Sequence, residues 1–191
     1  TDAAGNTSTA GTGNLVVDTT APSAPVVTSQ TTNDTTPTVS GTAEAGSSVS
    51  VVVNGTTYTT TADSSGAWSV NVTTALTDGT YTVSATATDT AGNTSTAGTG
   101  NLVVDTTAPS APVVTSQTTN DTTPTVSGTA EAGSSVSVVV NGTTYTTTAD
   151  SSGAWSVNVT TALTDGTYTV SATATDAAGN TSTAGTGNLV V

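Results

Sequence analysis

The 191-residue chain contains no lysine, arginine, histidine, cysteine, methionine or phenylalanine. Each absence removes a class of function. With thirteen acids, a formal charge of −13 and no cation to replace phosphate counterions, the chain would repel nucleic acid. An anionic membrane surface is excluded as a partner on the same ground. No apolar run approaches the length of a bilayer span, so no membrane insertion is expected. Without cysteine there is neither a disulfide framework nor a thiolate metal site. Histidine, cysteine and lysine, the common bases and nucleophiles, are missing, and serine without a base is inert. The chain is therefore expected to be no enzyme and to take no small-molecule substrate. Paired aspartates can hydrolyse glycosides, but they need a cleft lined with aromatics, and only 3% of residues are aromatic. The chain opens with no basic, apolar targeting segment, as expected of an internal piece of a longer protein.

What is present is repetition. Residues 18–104 recur as residues 105–191, and across these 87 positions only Thr90 and Ala177 differ. Residues 1–17 match the end of the same unit. The expected organisation is a stretch of a tandem array: a C-terminal strand remnant of a preceding repeat (1–17), then whole repeats at 18–104 and 105–191. A period this long implies one small domain per repeat rather than one turn of a solenoid. High net charge with low hydrophobicity can signal disorder. Here only 7% of residues are charged and valine recurs in alternation, which argues for folded domains. A domain of this size buries a modest core, which leaves room for an additional staple.

Every apolar stretch has a period of two, the signature of strands. The pattern predicts strands at 24–29, 37–43, 48–54, 57–62, around Trp68, Val70 and Val72, around Tyr81, Val83, Ala85 and Ala87, and at 99–104. Asn54-Gly55 is a two-residue hairpin signal. Seven short strands with regular turn signals read as an antiparallel β-sandwich. Leu76-Thr77-Asp78-Gly79-Thr80-Tyr81 has the form of a tyrosine corner, with the Tyr81 ring entering the core and its hydroxyl bonding backbone nearby. Trp68 is the one large residue available to fill the space between the sheets. The expected fold is all-β, tandem immunoglobulin-like sandwiches of about seven strands each, stacked end to end.

Each repeat carries six acids, all at or beside turns: Asp18, Asp34, Glu44, Asp63, Asp78 and Asp89, then Asp105, Asp121, Glu131, Asp150, Asp165 and Asp176. In a seven-strand sandwich the connections alternate between two poles. That places Asp18, Glu44, Asp63 and Asp89 at the N-terminal pole, and Asp34 and Asp78 at the other. Stacking would collect Asp34, Asp78, Asp105, Glu131, Asp150 and Asp176 around the middle junction. Close carboxylate pairs repel by about 1–4 kcal/mol at surface-like dielectric. An all-oxygen donor set without histidine or cysteine suits a hard cation, and flexible loops suit calcium better than magnesium. The expected ligands are Asp18, Glu44, Asp89, Asp105, Glu131 and Asp176. Asp34, Asp63, Asp78, Asp121, Asp150 and Asp165 form a second tier, since most of them sit where turn chemistry alone explains an aspartate. Asp89 also fits an Asx turn, and Asn93 reads as a brace of its loop.

The strings DTTAPSAP, TNDTTPTVSGTAEAGSSVSV, DSSGAWSV, LTDGTYTVSATATD and AGNTS, in that order, resemble the bacterial immunoglobulin-like repeats of giant surface adhesins. Those are the RTX-type and biofilm-associated proteins of Gram-negative bacteria, and the resemblance covers the whole chain. It implies a secreted, extracellular extender, tethered to the bacterial surface through other parts of the parent protein and carrying a distal adhesive tip. It also implies calcium at the domain junctions, with ligands at Asp105 of DTTAP, Glu131 of GTAEAG and Asp176 of ATDAAGN, and at Asp18, Glu44 and Asp89 in the first repeat. The partners would be neighbouring identical repeats. A repeat that itself binds a surface or glycan, and a calcium-independent flexible linker, are the alternatives.

Overall fold

Short runs of valine and threonine fold into sixteen strands in a computed structural model that describes residues 1–191. The first repeat contains β1 (Val26–Val27), β2 (Gln30–Thr32), β3 (Thr38–Thr42), β4 (Ser48–Val53), β5 (Thr56–Thr61), β6 (Ala67–Asn71), β7 (Gly79–Thr88) and β8 (Gly98–Val104). The second contains β9 (Val113–Val114), β10 (Gln117–Thr118), β11 (Thr125–Thr129), β12 (Ser135–Val140), β13 (Thr143–Thr148), β14 (Ala154–Asn158), β15 (Thr167–Thr175) and β16 (Gly185–Val190). In each repeat a three-stranded sheet, in the order β1-β3-β6 or β9-β11-β14, faces a five-stranded one, β2-β8-β7-β4-β5 or β10-β16-β15-β12-β13.

The alternation read from sequence sets the inward faces. Val49, Val51 and Val53 of β4 are buried, as are Val83, Ala85 and Ala87 of β7. The hydroxylated residues between them stay at least partly exposed, where threonine keeps a strand surface wet without charge. Trp68 is 4% exposed and lies between the sheets. The Tyr81 hydroxyl donates to the Thr77 carbonyl at 2.8 Å, closing the tyrosine corner, and its ring packs against the core. Tyr168 repeats this with Thr164 at 2.8 Å. Asn54 and Asn141 adopt φ of 46° and 47°, the left-handed conformation a tight Asn-Gly hairpin turn demands.

The strand expected at 24–29 shortens to β1, which pairs with β3 antiparallel, and an unexpected strand follows it: the chain crosses to the other sheet as β2, which pairs with β8 in parallel. Pro25 is buried ahead of β1 and supplies no backbone N–H, which limits how far that strand can pair.

Each repeat has its own hydrophobic core, the first built around Trp68 and the second around Trp155. The two sandwiches stack end to end through a short linker. Residues 1–17 form no strand, and Leu15, Val16 and Val17 are 90%, 84% and 78% exposed. Their sequence twins Leu102 and Val104 are 1% exposed, because strand pairing supplies them with neighbours. No helix is long and apolar enough to cross a membrane.

Candidate functional site: loop carboxylates and the domain junction

The acids do occupy turns, and most of them are engaged by their own loops. Asp63 Oδ1 accepts the N–H groups of Ser65 and Ala67 at 2.7 and 3.0 Å and the Ser65 hydroxyl at 2.6 Å. Asp150 does the same with Ser152 and Ala154. Asp34 and Asp121 accept from Thr36 and Thr123, two residues on. Asp18 and Asp105 each accept one N–H, from Thr20 and Thr107 at 2.9 and 3.0 Å. These are Asx-type turns, in which a short carboxylate replaces a backbone acceptor.

Asp89 and Asp176 organise the loop before the last strand of each repeat. Asp89 Oδ1 accepts from the N–H groups of Ala91 and Asn93, and Oδ2 accepts from the Asn93 side chain at 2.8 Å. Asp176 uses Ala178, Gly179 and Asn180 in the same way. The expected bracing role of Asn93 is thus present, and the structure adds a second one. Asn93 Nδ2 also donates to the Asp18 carbonyl at 3.1 Å, and Asn180 Nδ2 to the Asp105 carbonyl at 2.7 Å. Each loop asparagine therefore ties the incoming linker to its own domain. Asp2 builds the same closed loop with Ala4 and Asn6 although residues 1–17 form no strand, so this motif is locally encoded.

Glu44 and Glu131 sit differently. Their backbone carbonyls accept from Ser47 and Ser134, while their carboxylates accept no hydrogen bond from the protein. Glu131 borders a shallow depression lined by Ser110, Ala111, Val113, Thr129 and Ala130, and Glu44 borders its counterpart.

The middle junction is formed by polar groups from both repeats. The Asn33 N–H donates to the Ala178 carbonyl at 3.1 Å, and the Asp105 N–H to the Thr32 carbonyl at 3.0 Å. Asp78 Oδ1 accepts the Thr106 N–H and hydroxyl at 3.0 and 2.7 Å, and Oδ2 accepts the Thr107 hydroxyl at 3.0 Å. Ala178 is 9% exposed, whereas Ala91, its equivalent in the first repeat, is exposed. Asp78 and Asp105 are thus brought to the junction with the Asp176 loop. Asp34 turns its carboxylate into its own turn there, and Asp150 does so in its loop. No three acidic side chains gather closely enough to hold a metal ion. The donor chemistry suits calcium; the placement of the carboxylates does not assemble a site for it.

Hydrogen bonding also sets the acidities. The Ser65 hydroxyl beside Asp63, the Thr106 hydroxyl beside Asp78, the Asn93 amide beside Asp89 and the Ser152 hydroxyl beside Asp150 hold these carboxyls below their usual range. Burial opposes ionisation of Asp176, but Asn180 and the loop N–H groups together outweigh it. The folded chain therefore binds protons less readily than the unfolded one. The stability these groups contribute is fully present above the ordinary carboxylate pKa and is lost as pH falls through the depressed folded values. In about 0.15 M salt, where charge repulsion reaches only about 8 Å, the melting temperature should fall between about pH 5 and pH 2. A rise over that window would show that relief of the repulsion among thirteen acids dominates instead.

The model of the bacterial Ig-like domain matches residues 23–106 and 110–191. No curated protein matches. Among solved structures, a Ca2+-stabilised adhesin that helps an Antarctic bacterium reach out and bind ice is 33% identical. That match covers 99% of this chain and 54% of the adhesin chain, with a TM-score of 0.40, so this chain spans about half the length of that relative. The fibronectin(III)-like modules of Clostridium thermocellum CbhA match at 14% identity, over 87% of this chain and 93% of theirs, with a TM-score of 0.53. The FN1–FN3 domains of chicken CNTN1 match at 12% identity, over 90% and 64%, with a TM-score of 0.55. These last two share the sandwich fold. With both repeats matched by one family model, the chain belongs to the bacterial Ig-like domain family.

Proposed function

We propose that this chain is a spacer segment of a large secreted adhesin, extracellular and tethered to the bacterial surface by other parts of the parent protein, where it holds an adhesive tip away from the cell. The observation that carries the reading is a pair of near-identical domains joined end to end by a linker hydrogen-bonded to both neighbours. Such a unit adds length with each copy. The proposed units run 18–104 and 105–191, with 1–17 as the last strand of a preceding copy. The finer attribution, to RTX-type adhesins of Gram-negative bacteria, rests on the order of the sequence motifs.

Calcium is the ion proposed for this spacer, at Asp105, Glu131 and Asp176 and their equivalents Asp18, Glu44 and Asp89, with the remaining loop aspartates in support. Thirteen acids without a single lysine or arginine, and glutamates whose carboxylates accept no hydrogen bond, support this reading. Binding there would draw separate loops together on a joint that hydrogen bonds already orient. A calcium-independent spacer is the second reading, favoured by the Asp78 contacts to Thr106 and Thr107.

One experiment addresses both parts. The two-repeat chain should scatter as an elongated particle, each sandwich contributing roughly 40 Å from strands rising about 3.3 Å per residue plus their loops. It should not adhere to surfaces or glycans by itself. Adhesion by this chain alone would overturn the spacer reading in favour of a binding module. Calcium should raise its melting temperature more than magnesium does, a hundredfold excess over the dissociation constant being worth about 2.7 kcal/mol. Equal melting temperatures in chelator and in calcium would remove the metal and leave the second reading.

A further inference from the structure

Asp78 differs from the other loop aspartates in what it holds. Asp18, Asp34, Asp63, Asp89, Asp105, Asp121, Asp150 and Asp176 accept N–H groups two to four residues ahead, inside their own turns. Asp78 precedes Gly79, the usual setting of a turn former, yet its carboxylate accepts nothing from its own turn. All three of its hydrogen bonds come from residues 28 and 29 positions ahead, across the joint: the Thr106 N–H, the Thr106 hydroxyl and the Thr107 hydroxyl. Both oxygens are used. Asp165 holds the same position in the second repeat.

We propose that the carboxylate of Asp78 is a docking site for the Asp-Thr-Thr segment of the next repeat, and that this contact sets the angle between domains without a metal. The partner is a second copy of the repeat, recognised by one backbone N–H and two hydroxyls, and Asp165 offers the same acceptor to a following copy. The linker is held from the other side as well. Asn180 of the second domain donates to the Asp105 carbonyl, while the Asp105 N–H donates to Thr32 of the first, so Asp105 is the pivot and Thr106 and Thr107 reach back to Asp78 from beyond it. Breaking the Asp78 contacts leaves the Asn33 to Ala178 and Asp105 to Thr32 backbone bonds as the remaining polar ties across the joint. Charge-assisted hydrogen bonds are shorter and stronger than neutral ones, and here a single ionised group receives three. The inference deepens the spacer reading and rests on it only for its consequence in an array.

The test uses the two-repeat chain in chelator, with residual dipolar couplings and 15N relaxation measured separately for each domain. In the wild type the two domains should share one alignment frame. Asp78→Ala and the double variant Thr106→Val/Thr107→Val should each lose the common frame, and each domain should tumble faster. Asp165→Ala should change neither. Should Asp78→Ala disturb the fold of the first domain, the threonine variant carries the test, because both threonines are exposed and outside either core. A common frame that survives the threonine variant would overturn the proposal, as would its loss in Asp165→Ala. An angle fixed only when calcium is added to the wild type would overturn it too, while leaving the spacer reading intact.

Discussion

Trp68→Ala is expected to unfold the first repeat at a much lower temperature while the second melts as before. The indole is 4% exposed, the largest side chain in a core otherwise made of valine, alanine and leucine with two partly buried tyrosines at its margin. Truncating a buried tryptophan costs about 3–5 kcal/mol through lost transfer energy and the residual cavity. A domain of this size has a total stability near the low end of about 5–15 kcal/mol, so most of it goes. Part of the loss is returned, because the indole Nε1 is buried without a protein acceptor and its removal relieves an unsatisfied donor. With a shift of about 4–8 °C per kcal/mol, one wild-type transition should split into two. Circular dichroism would report both. Fluorescence would follow only Trp155, the remaining tryptophan, and should keep the wild-type midpoint. A single unshifted transition by both probes would show that the indole is not what holds the sheets apart.

Gly41→Ala should act on the same core from the backbone side. Gly41 sits on β3, opposite Trp68 on one flank and Val27 on the other. A Cβ added there would overlap the carbonyl oxygen of Val26 and come within 2.5 Å of the Trp68 ring at Cζ2. The carbonyl belongs to the backbone of β1 and cannot rotate away. β1 has only two residues to pair, so its displacement removes the whole strand from the sheet and exposes Val27. Overpacking of this kind costs about 1–3 kcal/mol or more. Gly128→Ala, beneath Trp155 and against Val113, should reproduce the effect in the second repeat, and the double variant should lower both transitions. Gly13→Ala, with open space around it, is the control and should change nothing. Wild-type melting of Gly41→Ala would mean that β1 can shift outward without loss, and that the pairing of Val26 and Val27 contributes little.

Much of this architecture is written in local sequence. Alternation within a strand decides which residues face inward, so Val49, Val51, Val53 and Trp68 could be placed in the core from spacing alone. Asn54-Gly55 and the Asp78-to-Tyr81 segment announce a hairpin and a tyrosine corner because each depends on a few adjacent dihedrals. The Asp89 and Asn93 loop is equally local, as its recurrence at Asp2 and Asn6 demonstrates. The near-identity of residues 18–104 and 105–191 determined that there would be two equivalent domains.

Other features depend on what lies across space. Whether residues 30–32 stay with β1 or cross to the second sheet is decided by the free edge of β8, where Gln30 pairs beside Leu102, seventy-odd residues away. No period within the strand encodes that choice. The acids follow the same division. Their position at turns was legible, as was the gathering of Asp78 and Asp105 at the middle junction, but which carboxylate would bond across it was not. Asp78 reads as an ordinary residue before glycine, and it becomes the acceptor for Thr106 and Thr107 only when stacking brings the next linker over it. A carboxylate can satisfy its own turn or reach across a joint at similar cost, and the choice falls to the group that packing places within 3 Å.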